Sequence, residues 1–140
     1  AGGGAFTYEE IQTFEENGLK SQVIQYKFKD SELYEIYKNA IAFIFPSEYE
    51  GFGIPVLEAM SSECPAILSN VSSLPEIGGD AAIYFDPYDE MDIKNKVESV
   101  IMDEELRKNM KEKGLQQSRL FTWEKTFKQF IEVVASAKIQ

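Results

Sequence analysis

The most constraining feature of this chain is the continuous apolar run at residues 41–45, Ile-Ala-Phe-Ile-Phe, which ends at Pro46. A strand made only of apolar residues has no face suited to water, so it is typical of a parallel sheet that is covered on both faces. Proline ends such a strand because it lacks the N–H group that a neighbouring strand would use. The run therefore predicts a central parallel strand.

Helix and strand signals alternate along the rest of the 140 residues. Thr7 and Glu10 have the spacing of a capping box, which predicts a first helix ending near Gly18. Three further strands are predicted at residues 22–28, 66–69 and 82–85. Asp30 precedes a short helical pattern, and residues 72–76 predict a single helical turn. Short strands separated by helices indicate the α/β class, as a single Rossmann-like three-layer domain over residues 1–140 with a mainly parallel sheet.

Three amphipathic helices are predicted towards the C-terminus. The first has its apolar positions at Ile93, Val97, Val100 and Ile101, and the second runs from Glu104 to Gln117. The last follows Thr122 and carries Trp123, Phe127, Phe130, Ile131 and Val134 on one face. We expect Trp123 to anchor this last helix.

The composition excludes several classes of function. The net charge of −10, from 24 acidic and 14 basic residues, argues against nucleic acid or an anionic membrane as the main partner. A small phosphorylated ligand stays open, because backbone N–H groups hold phosphates without net positive charge. Without histidine, the chain has no imidazole base and no histidine ligand for zinc. Cys64 has no second cysteine to pair with, and no apolar run approaches the roughly 18 residues of a membrane span.

The loop after the apolar run is the best place for a ligand, since ligands of parallel sheets bind beyond the carboxyl ends of the strands. Gly51 and Gly53 allow close approach of a ligand to the backbone. Pro55 is predicted at the first position of a helix, where its missing N–H costs nothing, and the free N–H groups and positive dipole end of that helix suit an anion. These signals predict a phosphate or nucleotide-sugar site at residues 51–56, and a tight turn that serves only the fold is the alternative.

Two carboxylates flank this turn. Glu50 lies in the loop and Glu58 lies one turn into the helix. A carboxylate accepts hydrogen bonds from two hydroxyls at once, which is the pattern that sugar and ribose diols present. The alternatives are a solvated loop position for Glu50 and favourable helix-end charge for Glu58.

The segment from Phe45 to Pro87 resembles the C-terminal domain of the retaining glycosyltransferases of family 4 (glycosyl transferases group 1). The resemblance is carried by Phe45-Pro46-Ser47, by Tyr49-Glu50-Gly51-Phe52-Gly53-Ile54-Pro55-Val56-Leu57-Glu58-Ala59-Met60, by Ser72-Ser73-Leu74-Pro75-Glu76-Ile77, by Gly79-Asp80-Ala81-Ala82 and by Phe85-Asp86-Pro87. Two glutamates eight positions apart are a weak signal alone, but within this block they are a specific one.

The resemblance implies an enzyme with two Rossmann domains (GT-B fold) that transfers a hexose with retention of configuration and without a metal. The donor is expected to be a UDP-, GDP- or ADP-sugar, and no cofactor is implied. Glu50 would be the catalytic-site residue, meeting the donor sugar near the reacting face. The other donor-binding positions would be Gly51, Phe52 and Gly53 at the sugar, Ile54, Pro55, Val56 and Leu57 at the diphosphate, Glu58 at the ribose and Phe28 at the base.

The resemblance also implies parts that this chain does not supply. The family's diphosphate-neutralising Arg and Lys would precede the turn that Gly2-Gly3-Gly4 resembles, and the acceptor domain would lie further upstream. We therefore expect the chain alone to be inactive, with the acceptor undetermined. Tyr26 and Glu63 replace glycines common in relatives, and Tyr26 puts the nucleotide preference in doubt. The full-length parent is expected to be cytoplasmic, with peripheral association at the inner face of the membrane as an option.

In the family, the last helix often braces the other domain. The same helix here would then leave apolar surface unpaired, which predicts some self-association of the chain.

Two other interpretations stay open at the level of sequence. A non-catalytic, flavodoxin-like interaction or regulatory module would explain the small size, although Asp86 and Asp89 match the acidic cluster of receiver domains poorly. A sugar-nucleotide epimerase with the GT-B architecture is the other, and we know of no such enzyme that carries the Glu50–Glu58 block.

Overall fold

The computed structural model describes residues 5–137, in two compact units that are divided between Leu33 and Tyr34. The first unit contains α1 (Tyr8–Glu16). The Thr7 side chain accepts from the Glu10 N–H, and the Glu10 carboxylate accepts from the Thr7 N–H at 2.7 Å. The predicted capping box is thus confirmed. No residue of α1 is buried, and Phe14 packs edge-on against Phe6 with 5.2 Å between ring centroids.

The predicted strand at residues 22–28 is wrong, because residues 23–29 have no regular secondary structure. Alternating apolar residues supply the side chains of a strand, but a strand also needs a neighbour that completes its backbone hydrogen bonds. Within the described part of the chain, no strand pairs with this segment. Ile24 and Tyr26 accordingly remain exposed.

Ten regular elements follow from residue 30 onwards in the described range. They are α2 (Asp30–Asn39), β1 (Phe43–Phe45), α3 (Ile54–Ser61), β2 (Ala66–Ser69), α4 (Leu74–Gly78), a 3₁₀ turn (Gly79–Ala81), β3 (Ala82–Phe85), α5 (Glu90–Met102), α6 (Glu104–Ser118) and α7 (Trp123–Ser136). The second and third strands have the predicted bounds.

The three strands form one parallel sheet in the order β1-β2-β3. Ile67 of β2 lies opposite Ile44 on one side and opposite Ile83 on the other. Each connection between neighbouring strands contains a helix, as a parallel pair requires. The predicted mainly parallel α/β sheet is therefore confirmed.

The apolar run at residues 41–45 was predicted to be the central strand, but it contains β1. The central strand of this sheet is β2. All four residues of β2 are buried, whereas β1 is half-buried and 42% of Ile44 is exposed. In the described part of the chain, β1 has a neighbouring strand on one side only. An all-apolar composition shows that a strand belongs to the sheet, but long-range pairing decides its place.

Two hydrophobic clusters cover the two faces of β2. Ala66 and Leu68 pack in one cluster, with residues of α3 and α4, while Ile67 packs in the other with Val100 of α5 and Met110 of α6. Alternation along β2 thus directs successive side chains to opposite faces of the sheet. The carboxyl ends of β1 and β2 lead directly into the segments that form the candidate site.

The apolar face of α7 has no cover within the described residues of its unit. The helix begins after Thr122, whose side chain accepts from the Lys125 N–H, but none of its residues is buried. Trp123 is 84% exposed, so the prediction that it anchors the helix is wrong. Helical spacing identifies an apolar face but not what that face contacts. Within residues 5–137, no helix has both the length and the apolar character of a membrane span.

Candidate functional site

The loop between β1 and α3, residues 46–53, is held by side chains of the last residue of β2 and of the segment that follows it. Because β1 and β2 are parallel neighbours, their carboxyl ends lie at the same edge of the sheet. Ser69 Oγ donates to the Phe45 carbonyl (3.2 Å) and Ser72 Oγ to the Glu50 carbonyl (2.6 Å). Ser73 Oγ has one proton, which is shared between the Glu50 and Phe52 carbonyls (both 3.0 Å). The loop is therefore tied at both ends and in the middle.

Glu50 is half-buried, and its side chain keeps most of its acceptor capacity. Its carboxylate Oε1 accepts from Ser47 Oγ at 3.0 Å, while Ser47 Oγ also lies 3.1 Å from the Tyr49 carbonyl. An ionised carboxylate has about four acceptor positions. The bond from Ser47 uses one of them, so the carboxylate can accept from further hydroxyl groups.

Gly53 makes the turn from the loop into α3. Its φ of 101° and ψ of 46° lie in the left-handed region that favours glycine. A Cβ atom at this position would also lie 3.1 Å from Leu74 Cδ2. Gly51 differs, because it is exposed and a Cβ there would meet no atom within 4 Å. The backbone at Gly51 is thus open to a ligand, whereas Gly53 is required by the turn.

The helix α3 begins at Ile54, so Pro55 is its second residue and not its first as predicted, and within residues 5–137 no side chain caps this helix. The N–H of Val56 donates to the Gly53 carbonyl at 3.0 Å, and the Val56 side chain is fully buried. Ile54 is exposed and Leu57 is half-buried. An anion at this helix end would meet the positive end of the helix dipole.

Glu58 lies on α3 and lines an open groove between this helix and the end of α6. The groove has a volume of about 440 Å³ and is lined by Ile54, Leu57, Glu58, Ser61, Leu115, Ser118, Arg119 and Phe121. Leu57 and Glu58 each lie three or four positions from both Ile54 and Ser61. The four residues from α3 therefore share one face of the helix. Glu50 is not among the lining residues.

Tyr37 is a neighbour of Glu58 that sequence reasoning missed. Burial is the main cause that raises the pKa of Tyr37 to about 12. The negative charge of Glu58 and the nearby Cys64 raise it further. The ring packs edge-on against Phe43, with 5.4 Å between centroids. Tyr37 lies in the short helical pattern predicted after Asp30, which gives no sign that its hydroxyl stays protonated near a carboxylate and is a hydrogen-bond donor.

Phe52 contacts the segment between α6 and α7. Its ring lies edge-on to Phe121, with 6.0 Å between centroids and 80° between the ring planes. Because Phe121 also lines the groove, this contact relates the loop to the groove.

The remaining predicted positions do not belong to the described part of the second unit. Phe28 belongs to the first unit, where it is half-buried with its ring centroid 6.3 Å from that of Tyr26. Gly2, Gly3 and Gly4 lie outside the described residues. Between residues 5 and 137, no group of three or more His, Cys, Asp or Glu side chains is arranged to hold a metal ion.

Comparison with known proteins identifies the family. Residues 1–117 match the family of glycosyl transferases group 1. The chain belongs to this family. It is 40% identical over 111 residues to O-antigen chain mannosyltransferase B of Escherichia coli. This match covers 78% of the chain and 29% of that enzyme. It is 39% identical over 118 residues to the serotype-specific mannosyltransferase WbdA of E. coli, of which it spans 14%.

Two solved structures have the same fold. Sucrose-phosphate synthase from Thermosynechococcus elongatus matches 91% of the chain with a TM-score of 0.76 at 25% identity, and the match covers 34% of the synthase. The C-terminal domain of a glycosyl transferase group 1 protein from Francisella tularensis matches 94% of the chain with a TM-score of 0.68 at 27% identity, and the match covers 62% of that chain. The predicted fold, the C-terminal half of a GT-B protein, is confirmed, and the interaction-module alternative is not favoured.

Proposed function

We propose that this chain binds the nucleotide-diphosphate sugar donor of a retaining hexosyltransferase. The observation that carries the proposal is the left-handed turn at Gly53, which joins the Glu50 loop to the uncapped start of α3 and its Glu58. Two carboxylates with spare acceptor capacity and one helix N-terminus match the hydroxyls and the diphosphate of such a donor.

The sugar, the diphosphate and the ribose of the donor each have a matching group in the proposal. Glu50 binds hydroxyls of the donor sugar near the reacting carbon, next to the open backbone of Gly51 and the carbonyl and N–H groups of Phe52 and Gly53. The diphosphate lies at residues 54–57, where the helix dipole favours negative charge. Glu58 binds the ribose hydroxyls, with the neutral Tyr37 hydroxyl nearby as a donor.

The reaction requires this site to stabilise negative charge on the leaving group. Breaking the glycosidic bond of a sugar nucleotide produces an oxocarbenium-like transition state and a diphosphate leaving group. A fixed helix N-terminus stabilises the negative charge that develops on the leaving group without needing to reorganise. In the proposal the reaction uses no metal, and the basic groups and the acceptor site come from other parts of the parent protein. The chain alone therefore binds donor but does not transfer sugar.

The relatives indicate which donor sugar to test first. Several of the similar proteins are named mannosyltransferases. We therefore propose mannose as the first sugar to test, on each of the three nucleotides.

The test is calorimetric titration of the chain with UDP, GDP and ADP and with their mannose conjugates. We expect one nucleotide series to bind, with the same affinity in the presence of EDTA. Glu58→Gln keeps the size of the side chain but removes its charge, and should weaken binding about tenfold or more, because hydrogen bonds to charged groups contribute roughly 1.5–3 kcal/mol. The matched control is Glu112→Gln, on an exposed position of α6. Absence of binding by the wild-type chain, or equal binding by the two variants, would refute the proposal.

A further inference from the structure

Three serines, at the end of β2 and just after it, hold the loop that carries Glu50, and we name Ser69, Ser72 and Ser73 the serine clamp. Ser69 is fully buried and bonds the carbonyl of Phe45, where the loop begins. Ser73 bonds the carbonyl of Phe52, next to the Gly53 turn where the loop ends. The clamp therefore fixes both ends of the segment relative to the central strand.

The strongest contacts of the clamp converge on Glu50. Its carbonyl accepts from both Ser72 Oγ at 2.6 Å and Ser73 Oγ at 3.0 Å. The single proton of Ser73 Oγ is shared with the Phe52 carbonyl, so Ser72 Oγ makes the main bond and Ser73 Oγ occupies the second lone pair of the Glu50 carbonyl. This carbonyl is not available to a ligand, and its bonds hold the backbone from which the Glu50 carboxylate projects.

Ser72 adopts a backbone conformation that is unusual for a residue with a side chain. Its φ is 55°, in the left-handed region, where in the described part of the chain Glu63 is the only other residue besides glycine. Such conformations persist where surrounding contacts determine them, and they cluster at functional sites. Here the conformation accompanies the shortest hydrogen bond of the clamp.

We infer that the serine clamp positions the Glu50 carboxylate for the donor sugar. This inference rests on the proposed function. The clamp hydroxyls bond backbone carbonyls and act through the loop, so they are positioning residues and not catalytic ones. Because Glu58 projects from α3, loss of the clamp should affect recognition of the sugar and leave recognition of the nucleotide intact. A carboxylate held in its productive geometry before binding avoids the cost of ordering it afterwards.

The variants remove two of the three clamp hydroxyls, those of Ser72 and Ser73, with little change in shape. Ser73→Ala removes two contacts, and Ser72→Gly removes one while accommodating a φ of 55°. Ser73→Thr keeps the hydroxyl and serves as the conservative rescue. Ser99→Ala is the matched control, because the exposed Ser99 on α5 also donates to a backbone carbonyl, that of Lys96.

Two measurements on the whole chain test the inference. The first is hydrogen–deuterium exchange of the amides of residues 47–53, which needs no ligand. The second is the ratio of affinities for a nucleotide diphosphate with and without its sugar, which reports the contribution of the sugar alone. For the Ser72→Gly/Ser73→Ala double variant we expect the loop amides to exchange about tenfold faster. We also expect the sugar to contribute about tenfold less to the affinity. Both changes correspond to the loss of roughly one hydrogen bond or more. Nucleotide affinity should stay within about twofold, and Ser73→Thr should match the wild type.

The possible results separate the inference from the proposed function. Unchanged loop exchange in the double variant would refute the clamp itself. Faster exchange with an unchanged sugar contribution, or an equal loss of nucleotide and sugar affinity, would refute the positioning role while leaving the proposed function standing. A wild-type chain that binds none of the nucleotides would refute the proposed function and the positioning role together, and exchange would still decide whether the clamp orders the loop.

Discussion

At the scale of single residues, two glycines of the candidate site differ in what replacing them costs. Replacing Gly53 is costly, whereas replacing Gly51 is not. Gly53 has a left-handed backbone and a crowded Cβ direction, whereas Gly51 has open space around it. Both glycines stand in the same short stretch of sequence and appear equivalent there. Their surroundings make one structural and leave the other accessible to a ligand.

We predict that Gly53→Ala destabilises the protein by about 1–2 kcal/mol, the cost of a left-handed conformation in a residue with a Cβ. The 3.1 Å approach to Leu74 Cδ2 adds to this cost. Gly51→Ala is the control and should change stability by less than about 0.5 kcal/mol. Urea denaturation of the two variants and the wild type measures the difference. Equal stabilities of the two variants would contradict the role assigned to Gly53.

Because the thiol of Cys64 is buried, we predict that the protein loses stability at alkaline pH. Burial raises the pKa of its thiol to about 11, from an ordinary value of 9.0. Folding therefore favours the neutral thiol, so this contribution to stability is full below pH 9 and is lost as the pH rises through about 11. We expect the urea midpoint to fall over this range, and Cys64→Ala to reduce the fall. Tyr37 and Tyr84, with pKa values raised to about 12, account for a further fall at higher pH. A midpoint constant from pH 8 to 11 would contradict this prediction.

At the scale of secondary structure elements, local signals placed those helices and strands whose ends are defined by their own residues. The strands at residues 66–69 and 82–85 have the predicted bounds, and α6 ends one residue beyond its predicted end. The segment at residues 22–28, in which Ile24, Tyr26 and Phe28 alternate with polar residues, was also predicted as a strand but is none. The difference is a pairing partner, because a strand is stable only when a neighbour satisfies its backbone groups.

The junction of α5 and α6 offers a test at this scale. Asp103 ends α5 and caps α6, where its carboxylate accepts from the Leu106 N–H at 2.9 Å. We predict that Asp103→Ala lowers stability by about 1 kcal/mol, since the first turn of α6 loses its cap. Asp103→Asn keeps an acceptor oxygen and should stay within about 0.5 kcal/mol of the wild type. Thermal denaturation measures both, and an equal loss for Ala and Asn would show that charge and not capping is responsible.

At the scale of the whole molecule, the apolar face of α7 remains without a contact in the described residues. Its large side chains, each at least 47% exposed, are Trp123, Phe127, Phe130, Ile131, Val133 and Val134. A contiguous apolar surface of this kind favours association, because burying it releases water.

We therefore predict that the chain self-associates at high concentration through this face. The Phe127→Glu/Phe130→Glu double variant should shift sedimentation towards the monomer, while its stability stays within about 0.5 kcal/mol because neither residue is buried. Lys128→Glu, on the same helix, is the control for added negative charge. A strictly monomeric wild-type chain would contradict the prediction.

The sequence by itself determined what depends on neighbours along the chain. The Thr7–Glu10 capping box, the strands before Asn70 and Asp86, and the family motif from Glu50 to Glu58 were all visible as local spacing. A capping box or an apolar strand is specified by a few adjacent residues, so its signal is present in the sequence wherever it occurs.

Only the tertiary structure decided which strand is central, that Trp123 is exposed, and that Ser72 and Ser73 reach the Glu50 carbonyl across 22 and 23 positions. The physical reason is that these properties arise from pairing and packing between distant segments. Periodicity shows which face of an element is apolar or polar, and the contact that this face makes is decided by the fold as a whole.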